Sequence, residues 1–150
     1  RFTGQGLSAK QAISKIIEYS TIPGTSRHHW GTDIDIIQGN TGVRPSSVLL
    51  EKHFYGNGQF CEMKAWLTQN ASIFGFYEVY TKDTARKGFS HEPWHFSYKP
   101  VSRPMLRAYK NLDIKSILQQ EKIAGSEHFT DRFIAGYIKE HILDINPELV

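Results

Sequence analysis

The spacing of apolar and polar residues predicts a helix near the start of the chain. A capping box spans residues 8–11, with Ser at its first position and Gln at its fourth, an arrangement typical of helix N-termini. Isoleucines then recur at helical intervals and define one apolar face: Ile13, Ile16 and Ile17. The Pro-Gly pair at 23–24 predicts the turn that ends this region.

Three short segments in the middle of the chain have the character of strands. Polar and apolar residues alternate over 32–36, which places Asp33 and Asp35 on one face of a strand. The segments 76–80 and 94–98 carry the aromatic and β-branched side chains that are typical of a sheet. A small sheet is therefore predicted between residues 32 and 98.

Helical spacing returns at 60–67 and again after Pro100, which is expected to stop the last strand. The polar stretch 81–90 predicts a loop, and Asp113 and Thr130 are predicted helix N-caps. These elements favour an α+β fold, in which a small antiparallel sheet packs with helices and the C-terminal third is helical. With 150 residues, we expect one domain that covers 1–150.

Composition favours a globular domain over a membrane-spanning or nucleic-acid-binding protein. Hydrophobic residues make up 39% and charged residues 22% of the chain, values typical of globular domains. No apolar run approaches the roughly 20 residues of a transmembrane helix, so no transmembrane segment is expected. The net charge of +3 is small and spread along the chain, so it does not favour nucleic-acid binding. The single cysteine, Cys61, excludes a zinc site built from several thiolates.

Two distant motifs carry the candidate chemistry. The first, Ser-Arg-His-His-Trp-Gly-Thr-Asp-Ile-Asp, offers His28 and Asp35, and the second, Glu-Pro-Trp-His, offers Glu92 and His95. A catalytic zinc ion takes three nitrogen or oxygen ligands and leaves one position open to water, beside a general base. Each residue alone is more typical of a surface, cap or loop position, and the combination indicates a metallohydrolase.

The same two motifs resemble those of the LAS metallopeptidases. That group includes lysostaphin-type enzymes, D-alanyl-D-alanine carboxypeptidases and the hedgehog signalling domain. The pattern Ser-x-His-x-x-Gly-x-x-x-Asp over 26–35 and the run Glu-Pro-Trp-His-Phe over 92–96 are most similar to the D,D-carboxypeptidase branch related to vancomycin resistance. The resemblance covers roughly residues 8 to 100 and implies a small sheet that carries the zinc site.

The resemblance also implies a role for each motif residue. Zinc would be held by His28, Asp35 and His95, Glu92 would be the catalytic base, and Ser26 would help to bind substrate. The implied reaction is hydrolysis of the terminal D-alanine of peptidoglycan stem peptides. The implied location is the periplasm or the cell envelope.

Asp33 departs from the family pattern, which usually has a small residue at this position. By strand alternation, Asp33 faces the same side as Asp35. Three roles are open to it. It could orient a metal ligand as a second carboxylate behind the site, meet a substrate ammonium group, or be solvated at the edge of the strand.

A second departure concerns an arginine that members of this branch often use, well upstream of the first motif, to bind substrate and stabilise the oxyanion. Only Arg1 and Arg27 precede His28, and neither stands in a matching context. We expect either an upstream segment missing from this sequence or another arginine, such as Arg86, in that role. Loss of such a donor costs on the order of 10²–10³ in rate.

Two other functions fit the same motifs. One is a zinc-containing module without catalysis, which would use the cleft to bind wall peptides or a protein partner. The other is a peptidoglycan endopeptidase that cuts cross-links. Trp30 and Trp94 could wall such a cleft or belong to the core, and the loop cations Lys82 and Lys87 could attract a substrate carboxylate.

Overall fold

The fold is described from a computed structural model, which covers residues 4, 6–40 and 42–150, so Arg1 lies outside the described residues. The helices within these ranges are α1 (Ala9–Ile17), α2 (Cys61–Asn70), α3 (Lys99–Tyr109), α4 (Ile114–Gln120) and α5 (Asp131–Tyr137). The strands are β1 (Asp33–Asp35), β2 (Phe76–Glu78) and β3 (His95–Tyr98). The mixture of helices with one small sheet agrees with the α+β class.

Side-chain caps begin three of the helices where the sequence predicts them. At α1, the Ser8 hydroxyl accepts a hydrogen bond from the N–H of Gln11, and the Gln11 side chain accepts one from the N–H of Ser8. The Asp113 side chain caps α4 by accepting a hydrogen bond from the N–H of Ser116, and the Thr130 hydroxyl caps α5 by accepting one from the N–H of Phe133. Each cap satisfies a backbone N–H that the first turn of a helix leaves without a partner.

The sheet has three antiparallel strands, with β3 in the centre and β1 and β2 on either side. In the β1–β3 register, Asp33 lies opposite Ser97 and Asp35 lies opposite His95. Because side chains alternate along a strand, these four residues share one face of the sheet. The register therefore joins the two sequence motifs, although they are some 60 residues apart.

The strand β3 passes directly into α3, so Pro100 marks the start of a helix as well as the end of a strand. Pro100 lies in the first turn of α3, where a residue without an N–H leaves no hydrogen bond unmade. The C-terminal third is helical as predicted, and α5 is followed directly by a π-helical turn over Ile138–Ile142. The segment 81–90 contains no helix or strand, which confirms the predicted loop.

The larger hydrophobic core joins the C-terminal helices to the end of the sheet. Its buried members come from three parts of the chain, including Ile22, Val79, Tyr80, Leu106, Ile134 and Leu149. A smaller core lies under α2 and contains Leu67, Ala71 and Phe96. Phe96 is on the opposite face of β3 from His95, so the central strand has packed side chains on both faces.

Within the described residues, no helix combines the length and the apolar character needed to span a bilayer.

Candidate metal centre

A cavity of about 350 Å³ contains residues from both sequence motifs. Ser26, His28 and Asp35 line it from the first motif, and Glu92 and His95 line it from the second. The structure therefore brings together in one cavity the five residues to which the two motifs assign a metal-binding, catalytic or substrate-binding role. Apolar surface is supplied by neighbouring aromatic rings: Tyr80, Phe89 and Trp94.

A short 3₁₀ turn over Arg27–Trp30 positions His28. The Ser26 side chain caps this turn, because its hydroxyl oxygen accepts a hydrogen bond from the N–H of His28 at 3.3 Å. Gly31 ends the turn with a φ of 70°, a left-handed conformation that side chains other than glycine rarely adopt. The glycine lets the chain reverse and enter β1 within two residues of the turn.

The ring of His28 is oriented by the backbone of β1. Its Nδ1 lies 3.2 Å from the carbonyl oxygen of Asp33, so Nδ1–H can donate a hydrogen bond there. Its Nε2 lies 3.5 Å from Oδ1 of Asp35. With Nδ1 carrying the proton, the lone pair of Nε2 is free to bind a metal ion beside the Asp35 carboxylate.

His95 is buried and lies between two carboxylates. Its Nδ1 is 2.9 Å from Oε2 of Glu92, and its Nε2 is 3.0 Å from Oδ2 of Asp33. Burial by itself lowers the pKa of His95, but the hydrogen bonds with Asp33 and Glu92 and their negative charges outweigh it and raise the pKa to about 9. The ring also stacks on that of His28, with centroids 4.4 Å apart.

The donor set formed by His28, Asp35 and His95 has the chemistry of a metal site. One ligand atom from each of the three residues lies within 4.8 Å of the others. Two imidazole nitrogens and one carboxylate oxygen match the nitrogen and oxygen ligands of catalytic zinc, which has bond lengths of about 2.0–2.2 Å. Tetrahedral bonds of that length separate ligand atoms by roughly 3.4 Å, close to the distance already seen between His28 and Asp35.

Asp33 is buried rather than solvated, and it lies behind His95. Its carboxylate accepts hydrogen bonds from Arg27 Nε at 2.8 Å, Ser97 Oγ at 2.6 Å and Thr32 Oγ1 at 2.8 Å. Burial by itself raises the pKa of Asp33, but the hydrogen bond from His95, the positive charge of Arg27 and the hydrogen bond from Ser97 hold the pKa well below its usual range.

Two further residues of the site, Arg27 and Ser97, were not predicted from the sequence. Arg27 is only 1% exposed, and Ser97 is fully buried. A buried carboxylate such as Asp33 requires a partner of opposite charge, and Arg27 stands only six residues before it in the sequence. The burial of Asp33 itself, however, follows only from the pairing of β1 with β3.

The suggestion that Arg86 replaces an upstream arginine is not supported by its position. Its guanidinium donates to three backbone carbonyl groups, those of Thr81, Phe89 and Asp144, at distances of 2.9–3.2 Å. It lies over the ring of Tyr80 and does not line the cavity. Arg86 therefore stabilises the loop 81–90.

Of the other aromatic and cationic candidates, Trp94 lines the cavity, and Trp30 and Lys82 do not. Trp94 lines the cavity, whereas Trp30 packs against the core residue Tyr109 with ring centroids 5.6 Å apart. Lys82 forms an ion pair with Glu51 at 2.7 Å and does not line the cavity. Trp94 is thus the tryptophan that faces the site.

A family model and a curated relative both indicate similarity to D-alanyl-D-alanine carboxypeptidases. The model of the VanY family, described as D-alanyl-D-alanine carboxypeptidase, matches residues 2–101, a range that includes both motifs. An uncharacterized protein of Haemophilus influenzae is 31% identical over 107 residues, which cover 71% of this chain and 82% of that protein. A D-alanyl-D-alanine carboxypeptidase of Enterococcus faecalis is 30% identical over 122 residues, which cover 81% of this chain and 40% of that protein. No solved structure gives a significant match.

Proposed function

The chain belongs to the VanY family of D-alanyl-D-alanine carboxypeptidases, and we propose that it is a zinc-dependent peptidase that removes the terminal D-alanine from peptidoglycan stem peptides. One observation carries the proposal: the donor atoms of His28, Asp35 and His95 converge within 4.8 Å in a cavity that Glu92 also lines. The proposed substrate implies that the protein acts in the periplasm or the cell envelope.

The proposed zinc ligands are His28 through Nε2, Asp35 through its carboxylate, and His95 through Nδ1. For each histidine, the other ring nitrogen already has an oxygen partner in β1, which supports this choice of ligand atoms. When bound, zinc supplies a Lewis acid for the scissile carbonyl and lowers the pKa of a coordinated water to about 7.

Glu92 is the proposed general base. Its Oε2 lies 2.9 Å from Nδ1 of His95, at the point where the donor atoms converge. Its backbone is held in place, because its N–H donates to the carbonyl of Tyr80 at 3.0 Å. With zinc on Nδ1 this hydrogen bond would be replaced, and the carboxylate, which lines the same cavity, would take a proton from the attacking water. It would then pass that proton to the departing amine of D-alanine, a role that contributes about 10²–10⁴ in rate.

The cavity walls favour a substrate with a small apolar side chain at the cleavage site. The rings of Phe89 and Trp94 offer apolar surface to a methyl side chain such as that of D-alanine. Ser26 is the proposed polar contact with the substrate. Its oxygen accepts a hydrogen bond from the N–H of His28, and its hydroxyl hydrogen is available to donate to a peptide carbonyl.

The test is release of D-alanine by the zinc-loaded protein from a defined muropeptide that ends in D-Ala-D-Ala. A matched peptide ending in L-alanine and a sample treated with chelator are the controls, and neither should yield product. Zinc binding without D-alanine release would overturn the proposal in favour of a non-catalytic module. Cleavage of cross-linked dimers at an internal bond, with terminal residues left intact, would overturn it in favour of an endopeptidase.

A further inference from the structure

An ion pair lies directly behind one of the proposed zinc ligands. The carboxylate of Asp33 and the guanidinium of Arg27 are 1% exposed or less at their side chains, and Nε of Arg27 is 2.8 Å from Oδ2 of Asp33. The same Oδ2 is 3.0 Å from Nε2 of His95. A buried pair of this kind is expensive to desolvate and is a poor source of stability by itself. Its place against His95 indicates a role in the site.

The contacts of Arg27 hold it rigidly. Its Nη2 donates to the hydroxyl of Ser97 at 2.9 Å, and that hydroxyl donates in turn to Oδ1 of Asp33 at 2.6 Å. The guanidinium carbon lies 4.7 Å from the ring centroid of Trp30. These contacts close a ring of hydrogen bonds around Asp33, so the carboxylate cannot turn away from His95 without breaking several of them.

The geometry also determines which nitrogen of His95 can bind the metal. As long as Asp33 is ionised, it can only accept a hydrogen bond, so Nε2 must carry a hydrogen. In the neutral imidazole, which is the form that binds zinc, the lone pair is then on Nδ1. Nδ1 is the nitrogen that faces Glu92 and the cavity.

We infer that Arg27, Asp33 and Ser97 form a positioning array, which holds His95 with Nε2–H donated to Asp33 and Nδ1 directed at the metal. This inference rests on the proposed function. The array gives a role to Asp33, whose carboxylate stands where the family usually has a small residue. Arg27 balances the charge of that carboxylate. Arg27 acts on His95 through Asp33, since its Nε and Nη2 are held by Asp33 and Ser97.

The test compares zinc affinity in wild type and in Asp33→Asn, measured by competition with a chromophoric chelator. The amide keeps the shape of the side chain but removes the charge, and we expect zinc affinity to fall by about 10–100-fold. In the zinc-loaded wild type, ¹H–¹⁵N spectra of the His95 ring should show the hydrogen on Nε2. The exposed substitution Asp131→Asn is the matched control and should leave both readouts unchanged.

A second variant keeps the test decisive if Asp33→Asn does not fold. Arg27→Met combined with Asp33→Asn removes both buried charges together, which avoids leaving one unpaired. A folded variant of either kind that binds zinc as tightly as wild type would overturn the array, even if its thermal stability were lower. Failure of the proposed function gives a different result, namely normal zinc binding with no release of D-alanine by the wild type.

Discussion

The hydroxyl of Tyr137 lies 2.7 Å from the hydroxyl of Thr25, which joins helix α5 to the segment that leads into His28. Thr25 donates its own hydrogen to the carbonyl of Ile22 at 2.7 Å, so Tyr137 is the donor in the pair. Tyr137 also accepts a hydrogen bond from the N–H of Ile22 at 3.0 Å. The C-terminal third therefore supports, through buried polar contacts, the segment that leads into the candidate metal centre.

Replacement of this hydroxyl should weaken the fold. In Tyr137→Phe, the buried N–H of Ile22 loses its acceptor, and the free energy of unfolding should fall by about 1–3 kcal/mol. Urea denaturation of the wild type and the variant measures the difference. Tyr19→Phe is the matched control, because Tyr19 is 80% exposed and its change should have little effect. Equal stability of the Tyr137 variant and the wild type would contradict the structural role of the contact.

Glu92→Gln should separate zinc binding from hydrolysis. Glutamine keeps the size of the side chain but cannot take a proton from water, so the rate of D-alanine release should fall by about 10²–10⁴. Zinc content, measured by mass spectrometry of the purified protein, should stay at one ion per chain. Glu121→Gln, at an exposed position, serves as the control and should retain activity. A fully active Glu92→Gln variant would rule out the role of Glu92 as base.

Asp35→Ala should abolish stabilisation by zinc. A ligand that binds the folded state stabilises it by about 2.7 kcal/mol at a hundredfold excess over Kd, which corresponds to roughly 5–10 °C in Tm for a chain of this size. We expect that increase in the wild type and in the exposed control Asp131→Ala, and none in Asp35→Ala. Thermal denaturation with and without zinc measures it, and an equal zinc-induced increase in all three proteins would place the metal elsewhere.

The metal-free protein should lose stability as the pH rises through the titration of His95. Its pKa is raised from an ordinary value of 6.5 to about 9, so the folded state binds this proton more tightly than the unfolded state does. The contribution is fully present below pH 6.5 and is lost as the pH rises towards 9, with a slope of at most about 1.4 kcal/mol per pH unit. Denaturant titrations from pH 6 to 10 should show this loss in the wild type but not in His95→Gln. Parallel curves for the two proteins would show that His95 is not the group responsible.

Local sequence was sufficient to predict three of the helix starts and to single out candidate metal ligands. The caps at Ser8, Asp113 and Thr130 depend on contacts within three residues, so short-range spacing determines them. The pairing of imidazole and carboxylate groups in the two motifs likewise depends on residue type. This is why the sequence alone identifies His28 and His95, with their acidic partners, as candidate site residues.

Tertiary structure alone decided the environment of these groups. Whether Asp33 is solvated or buried depends on the pairing of β1 with β3, whose residues are some 60 positions apart in the chain. The same pairing brings Ser97 to Asp33, and the turn before β1 places Arg27 beside it. The fold of loop 81–90 directs the Arg86 guanidinium to backbone carbonyl groups. Burial strengthens each charge and hydrogen bond by removing water, and a sequence pattern does not show which groups the fold removes from water.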